Sequence, residues 1–103
     1  MKLKAQRPKE IRIVDVSAIE DDVLIHDPGG EPYSFTGVTF EPTSLVDLST
    51  DAGRIWAEEW MYAAVDIGFD GWMADFAEWL PTDAVLASGE DALLAHNDYP
   101  RMW

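Results

Sequence analysis

Two carboxylates, Asp75 and Glu78, lie three residues apart at the end of a short apolar run in the segment GWMADFAEWLP, residues 71–81. The run suits a buried parallel strand, and Asp75 would then stand at its carboxyl end, partly removed from water. Burial favours the neutral carboxyl, whereas hydrogen bonds to the ionised form oppose that shift. A carboxylate held ionised in such a place is a usable nucleophile. From the spacing alone, an acid that caps a helix or bonds a loop is the favoured interpretation.

A strand, a helix and a second strand are predicted to position this carboxylate. Leu45–Leu48 is a short apolar run, Ser49 or Thr50 can cap a helix, and Trp72–Phe76 forms the second strand. Between the strands, apolar residues recur at helical spacing: Ile55, Trp56, Trp60, Ala63, Ala64 and Ile67. Gly68 would end that helix at the C′ position. A crossover of about 20 residues favours parallel pairing in a right-handed β-α-β unit.

The flanking regions contain further predicted elements, of which the turn at 27–30 has the strongest signal. Ile11–Val16 alternates like a strand, and Tyr33–Phe40 is predicted to be extended. Asp27–Gly30 is a turn, because proline fixes φ and glycine allows a positive φ. Ser88, followed three residues later by Asp91, has the spacing of a capping box, which predicts a helix from Glu90 towards Asn97.

The amino-acid composition argues against several classes of partner and cofactor. The chain has 103 residues, enough for one small domain, and a net charge of −13 from 20 acids and seven bases. This balance argues against nucleic acid or an anionic membrane as a partner, because phosphates are bound by Lys and Arg. Without cysteine, and with His26 and His96 far apart, neither a metal site nor a cofactor is expected.

The amino-terminal dozen residues differ from the rest, because they hold five of the seven bases: Lys2, Lys4, Arg7, Lys9 and Arg12. They contain no apolar segment of a secretory signal, and no run approaches the ~20 apolar residues of a membrane helix. A cytoplasmic location is therefore expected. The chain also has five tryptophans, which suit a core and can also stack on sugar rings.

The segment around Asp75 resembles glycoside hydrolase family 31, whose members are retaining α-glucosidases, α-xylosidases and sulfoquinovosidases. Trp72, Asp75, Phe76 and Glu78 match the family pattern Trp-x-x-Asp-(Met/Phe)-x-Glu. The longer string DGWMADFAEWLPTDA is most similar to the sulfoquinovosidase-like branch, as are VDL at 46–48 and GEDALLAHNDYP at 89–100. The resemblance covers residues 24–103, and the first 23 residues do not match the family.

The resemblance implies an α/β fold: a partial (β/α)₈ TIM barrel with about two of the eight β/α units, following a loop or hairpin. It implies that Asp75 is the catalytic nucleophile, that Glu78 supports it, and that Trp72 and Trp79 contact an α-glycoside substrate. The family's acid/base lies on a later strand, so the chain is expected to be an inactive fragment that needs the remainder of the barrel. Ala77 departs from the glycine common in relatives, which could tilt Asp75.

Two alternatives to a glycosidase remain. The chain could be an acidic module that holds sugar with Trp72 and Trp79 without cleaving it, or an interaction domain whose acidic surface meets a basic partner. Saturable quenching of tryptophan fluorescence by glucosides would favour the former, and a salt-sensitive pull-down the latter. The other polar clusters are expected to be surface pairs, turns or helix starts: His96–Asn97, Asp27, Glu90–Asp91 and the acids at 20–22.

Overall fold

One long helix is the main element of the residues that the computed structural model describes, which are 17–36, 42–73 and 77–103. This helix, α1, spans Asp51–Asp66 and begins with an acid in its first turn. Thr50 is the N-cap, although its side chain makes no capping hydrogen bond. Gly68, with φ +106°, follows the helix, and its N–H bonds the Val65 carbonyl. The predicted helix and its glycine stop are therefore confirmed.

The core-facing side of α1 is narrower than the predicted apolar stripe. Gly53, Trp56 and Ala57 are buried. Ile55 and Ile67, which the stripe included, are 55% and 78% exposed. Ile55 is one residue from Trp56 and so lies about 100° away around the helix axis, which turns it out of the core.

Three shorter helical elements follow α1. A 3₁₀ turn spans Ala77–Trp79, helix α2 spans Ala92–Ala95, and helix α3 spans Tyr99–Met102. The 3₁₀ turn packs against α3. The N-cap of α2 is Asp91, whose side chain accepts a hydrogen bond from the Leu93 N–H at 2.9 Å. The capping box predicted from Ser88 is therefore wrong, because a turn with Gly89 at φ +81° separates Ser88 from the helix.

Isolated β-bridges, all antiparallel, link the extended segments among the described residues. They pair Leu24 with Val46, His26 with Pro32 and Val85, Phe35 with Thr43, and Val85 with Asp91. None joins residues 45–48 to the described part of the second predicted strand, 72–73. Residues 11–16, 37–41 and 74–76 lie outside the described residues, so the parallel pair, the first strand and the far end of 33–40 stay predictions.

The core lies between α1 and these bridged segments. Its most deeply buried large side chains are Ile25, Leu80 and Tyr99. Trp56 packs beside Trp60, and its indole Nε1 donates to the Ser17 hydroxyl at 3.2 Å. Residue 17 belongs to a helical turn whose described part is 17–20. Buried residues of α1, of the bridged segments and of the carboxyl-terminal third of the chain thus belong to one cluster.

The turn predicted at Asp27–Gly30 is confirmed. Gly30 has φ +88°, and its N–H donates to the Asp27 carbonyl at 3.0 Å. The Asp27 carboxylate accepts from the N–H groups of Gly29 and Glu31 at 2.8 and 3.0 Å. Asp27 thus stabilises its own turn, as the sequence indicated.

Candidate active site

The predicted nucleophile, Asp75, falls in residues 74–76 and so lies outside the described residues. The structure describes the chain on both sides of it. Trp72 precedes it in an irregular segment and is 48% exposed. Glu78 and Trp79 follow it together on the 3₁₀ turn, with Glu78 exposed and Trp79 half-buried. The roles assigned to these four residues stay predictions.

Two buried residues and one hydrogen bond hold the 3₁₀ turn that carries Glu78. Ala77, at the position where glycine was expected, is 9% exposed, and its methyl group therefore faces the protein interior. Leu80 at the end of the turn is 1% exposed. The His96 ring donates from Nδ1 to the Leu80 carbonyl at 2.5 Å. His96, half-buried at the end of α2, thus anchors the chain just after the predicted site.

Tyr99 connects α3, which packs on the 3₁₀ turn, to the segment before α1. Its hydroxyl donates to the Val46 carbonyl at 2.6 Å, and its side chain is 1% exposed. Burial, together with the nearby charge of Asp47, raises the pKa of Tyr99 well above its ordinary value. The residue therefore stays a neutral hydrogen-bond donor.

Asp47 is the buried acid that the sequence reasoning did not single out. It is 2% exposed, and Oδ1 accepts hydrogen bonds from the N–H and the hydroxyl of Ser49. Oδ2 accepts from the Ala87 N–H at 2.7 Å. Its carboxylate therefore accepts hydrogen bonds from its own segment and from a segment 40 residues away. An acid inside the apolar run LVDL was the available signal, because a charge is seldom buried there without such partners.

Gly53 is the second residue whose importance was missed. A Cβ on Gly53 would stand 1.8 Å from the Asp47 carbonyl oxygen, so α1 lies directly against the segment before it. The signal was a glycine in the first turns of a predicted helix, where alanine is better by about 1 kcal/mol unless packing forbids it. Together, Asp47, Gly53 and Tyr99 fix the start of α1 and the support of the 3₁₀ turn.

The remaining polar clusters have structural partners. Asp98 is paired with Arg101, and this hydrogen bond lowers the pKa of the Asp98 carboxyl. Asp22 contacts His26 at 2.8 Å. Among the described residues, no group of three or more His, Asp or Glu is arranged to hold a metal ion. No helix in the described ranges combines the length and apolar character needed to cross a membrane.

Comparison with known proteins tests the resemblance that the sequence indicates. No protein-family model matches the chain. The sulfoquinovosidase of Agrobacterium fabrum is 43% identical over 61 residues, and that of Escherichia coli K12 is 40% identical over 60 residues. Each match covers 57% of this chain and 9% of the relative. The chain thus spans about a tenth of the length of these relatives.

A solved structure extends the likeness to the fold. It is a GH31 family sulfoquinovosidase from E. rectale in complex with the aza-sugar inhibitor IFGSQ, 32% identical, with a TM-score of 0.79. The alignment covers 85% of this chain and 13% of that one. The chain is therefore similar, in sequence and in backbone, to one segment of glycoside hydrolase family 31 enzymes. The resemblance read from the sequence is confirmed.

Proposed function

We propose that this chain supplies the nucleophile-bearing part of the catalytic barrel of a retaining α-glycosidase of the sulfoquinovosidase type. One observation carries the proposal: 40–43% identity to two sulfoquinovosidases over 60–61 residues. The backbone likeness over 85% of the chain supports it. The proposed substrate class, α-sulfoquinovosides, is taken from the names of those relatives. The alternative substrates are α-glucosides and α-xylosides.

In this proposal Asp75 performs the first chemical step. An oxygen of its carboxylate attacks the anomeric carbon and forms a glycosyl ester, while the bond to the leaving-group oxygen breaks. A second carboxyl, about 5–5.5 Å away in retaining enzymes, protonates that oxygen and later takes a proton from the water that cleaves the ester. The proposal assigns that acid/base to a later strand of the barrel.

The neighbours of Asp75 have distinct roles in this mechanism. Glu78 hydrogen-bonds within the site and holds the nucleophile or a substrate hydroxyl, which its exposed position on the 3₁₀ turn permits. Trp72 offers an exposed ring face on which a sugar can stack. Trp79, which is half-buried, forms the rest of the wall of the proposed substrate site.

A whole (β/α)₈ barrel takes about 250 residues, so this chain would account for about two of the eight β/α units. The remaining units would supply the acid/base and most groups that select the substrate. We therefore expect the purified chain to release no aglycone from an aryl α-sulfoquinovoside or aryl α-glucoside. Hydrolysis by the chain alone, abolished in Asp75→Asn, would show that the remainder of the barrel is not required.

A chimera tests the proposal directly. The matched segment of the E. coli sulfoquinovosidase is replaced by the corresponding residues of this chain, with Asp75 or with Asp75→Asn. We expect the Asp75 chimera to hydrolyse 4-nitrophenyl α-sulfoquinovoside, and the Asn variant to lose on the order of 10⁴-fold or more in kcat. A covalent glycosyl adduct placed on Asp75 by peptide mass spectrometry after proteolysis would identify the nucleophile.

Folding of each chimera is checked by circular dichroism and by binding of an aza-sugar inhibitor. A folded, inhibitor-binding chimera that hydrolyses nothing would contradict the proposed role of this segment. So would a chimera in which Asp75→Asn retains the activity of its parent. Glu59→Ala, an exposed change on the outer side of α1, is the matched control and should leave activity intact.

A further inference from the structure

His96 is a titratable side chain that the proposed mechanism does not use. It follows α2 directly, and its backbone N–H donates to the Ala92 carbonyl at 2.8 Å. The sequence predicted a surface pair with Asn97. Asn97 is exposed as expected, whereas His96 is half-buried and its ring reaches the Leu80 carbonyl. The side chain therefore contacts the segment that follows the predicted site.

The hydrogen bond between His96 and Leu80 has one possible direction. The ring Nδ1 lies 2.5 Å from the Leu80 carbonyl oxygen. A carbonyl only accepts, so Nδ1 carries the proton and the ring is the donor. Leu80 is 1% exposed, so water has little access to replace this donor. The carbonyl of Leu80 is therefore held at the position that His96 sets.

The helix that precedes His96 is itself anchored in the core. Ala92 and Ala95 of α2 are 3% and 4% exposed and belong to the buried cluster. At the other end of α2, the Asp91 side chain caps the helix through the Leu93 N–H. The ring of His96 thus extends from an element whose position the core fixes, and it passes that position on to the chain at residue 80.

The 3₁₀ turn at Ala77–Trp79 lies immediately before this anchored carbonyl, and its exposed Glu78 is two residues from Leu80. A 3₁₀ turn of three residues has few internal hydrogen bonds, so its position depends on what holds its ends. Ala77 at one end is 9% exposed, and α3 packs on the turn. The His96 bond fixes the chain at the other end. The direction of the Glu78 side chain therefore depends on His96.

We propose that His96 is a positioning residue, which holds the 3₁₀ turn so that Glu78 stands where glycoside hydrolysis requires it. His96 acts through the Leu80 carbonyl and the backbone of the turn. Such positioning matters for the rate, because a misplacement of about 1 Å can cost ~10²-fold. This inference rests on the proposed function, since it requires that Glu78 supports the reaction.

Two substitutions of His96 separate its Nδ1 donor from the rest of the ring. The side-chain N–H₂ of asparagine is as many bonds from the backbone as Nδ1 is, so His96→Asn can keep the bond to Leu80. The N–H₂ of glutamine is one bond further out, so His96→Gln loses it. Each substitution is made in the active chimera and in the whole chain. Glu59→Ala, on the outer side of α1, remains the control.

The two proteins give independent measurements. In the whole chain, amide hydrogen exchange of residues 77–80 is followed by mass spectrometry, and we expect faster exchange in His96→Gln than in wild type or His96→Asn. In the chimera, kcat is divided by the concentration of sites that bind the aza-sugar inhibitor, which counts folded molecules only. We expect His96→Gln to lower this kcat by about tenfold or more, while His96→Asn and Glu59→Ala retain most of it.

Several results would overturn this inference. Unchanged exchange of residues 77–80 in His96→Gln would show that the bond does not hold the turn. Faster exchange with an unchanged kcat per inhibitor-binding site would leave His96 a structural role alone. Equal losses of kcat in His96→Asn and His96→Gln would show that the Nδ1 donor is not what matters. A folded, inhibitor-binding parent chimera without activity would instead contradict the proposed function, and the positioning role would fail with it.

Discussion

The Tyr99 hydroxyl donates a hydrogen bond to the Val46 carbonyl at 2.6 Å, across 53 positions of sequence. The bond joins α3, which packs on the 3₁₀ turn of Glu78, to the segment that enters α1. Both residues are buried. A buried hydrogen bond therefore joins α3 to the segment that enters the long helix.

Tyr99→Phe is expected to destabilise the chain. The substitution keeps the ring but leaves the buried Val46 carbonyl without its donor, which costs about 1–3 kcal/mol. Urea unfolding followed by tryptophan fluorescence measures this change. Tyr62→Phe, at a 66% exposed position, is the control and should leave the unfolding midpoint unchanged. Equal midpoints for Tyr99→Phe and wild type would show that the bond contributes nothing.

Stability should fall at alkaline pH because of the same residue. The pKa of Tyr99 is raised in the fold by burial and by Asp47, so the unfolded chain releases this proton first. The contribution is fully present below the ordinary value of 10.0 and is lost as pH rises above it, by ~1.4 kcal/mol per pH unit. Urea midpoints at pH 8–11 should decline less steeply in Tyr99→Phe. The raised pKa of Tyr33, caused first by its hydrogen bond to Asp83, is common to both proteins and cancels.

Asp47→Asn tests the buried carboxylate. An amide offers one acceptor oxygen where the carboxylate offers two, so either Ala87 or Ser49 would face an N–H₂ group instead of an acceptor. We expect a loss of about 1–3 kcal/mol in the free energy of unfolding. Asp70→Asn, at an exposed position, should have no effect. If both variants unfolded at the wild-type midpoint, the hydrogen bonds of Asp47 would not stabilise the fold.

Gly53→Ala should reverse the usual preference for alanine in a helix. Its Cβ would meet the Asp47 carbonyl oxygen at 1.8 Å, so α1 must shift. We expect a net loss of about 1–3 kcal/mol, typical of overpacking, instead of a gain from helix propensity. Thermal unfolding by circular dichroism measures the sign. Ala52→Ser, one residue earlier and exposed, is the control; a stabilised Gly53→Ala would contradict the close contact.

Asp91→Ala should weaken α2, whose four residues depend on this cap. The loss of the hydrogen bond to the Leu93 N–H is expected to cost ~1 kcal/mol. Asp91→Asn should retain most of the stability, because asparagine is an equally good cap. Hydrogen exchange of the Ala95 amide, which bonds the Asp91 carbonyl, reports local fraying. Ser88→Ala should accelerate exchange less than Asp91→Ala does.

Glu78→Gln tests whether Glu78 positions other groups of the site or takes part in the chemistry directly. In the active chimera we expect kcat to fall by about 10²-fold, far less than for Asp75→Asn, because a positioning residue acts through another group. In the isolated chain the free energy of unfolding should not change, since Glu78 is exposed. Loss of activity as complete as in Asp75→Asn would give Glu78 a direct chemical role.

Local signals predicted several elements well. The periodic residues of α1, its acidic first turn and the glycine after it all agree on one helix, and the structure has it at Asp51–Asp66. The turn at Asp27–Gly30 was equally readable, because its residue types restrict φ. The resemblance to family 31 came from the spacing of Trp72, Asp75 and Glu78.

Long-range contacts could not be read from local patterns. Nothing within LVDL indicates that Asp47 meets the Ala87 N–H, 40 residues away, or that Tyr99 reaches Val46. The cap of α2 was misplaced because Ser88 and Asp91 both suit a cap, and only the backbone at Gly89 decides between them. The sequence shows which residue types are present, but not which distant residues they contact.

The ion pairs of the described residues have one shared property. Asp22 with His26, Asp51 with Arg54, and Asp98 with Arg101 each join positions only three or four apart. In that part of the chain, charge attraction thus fastens no distant segments together, while the excess of acids pushes them apart. Dissolved cations screen this repulsion, so the melting temperature should rise as ionic strength increases. In a protein held together by ion pairs between distant segments, the melting temperature would instead fall as ionic strength increases.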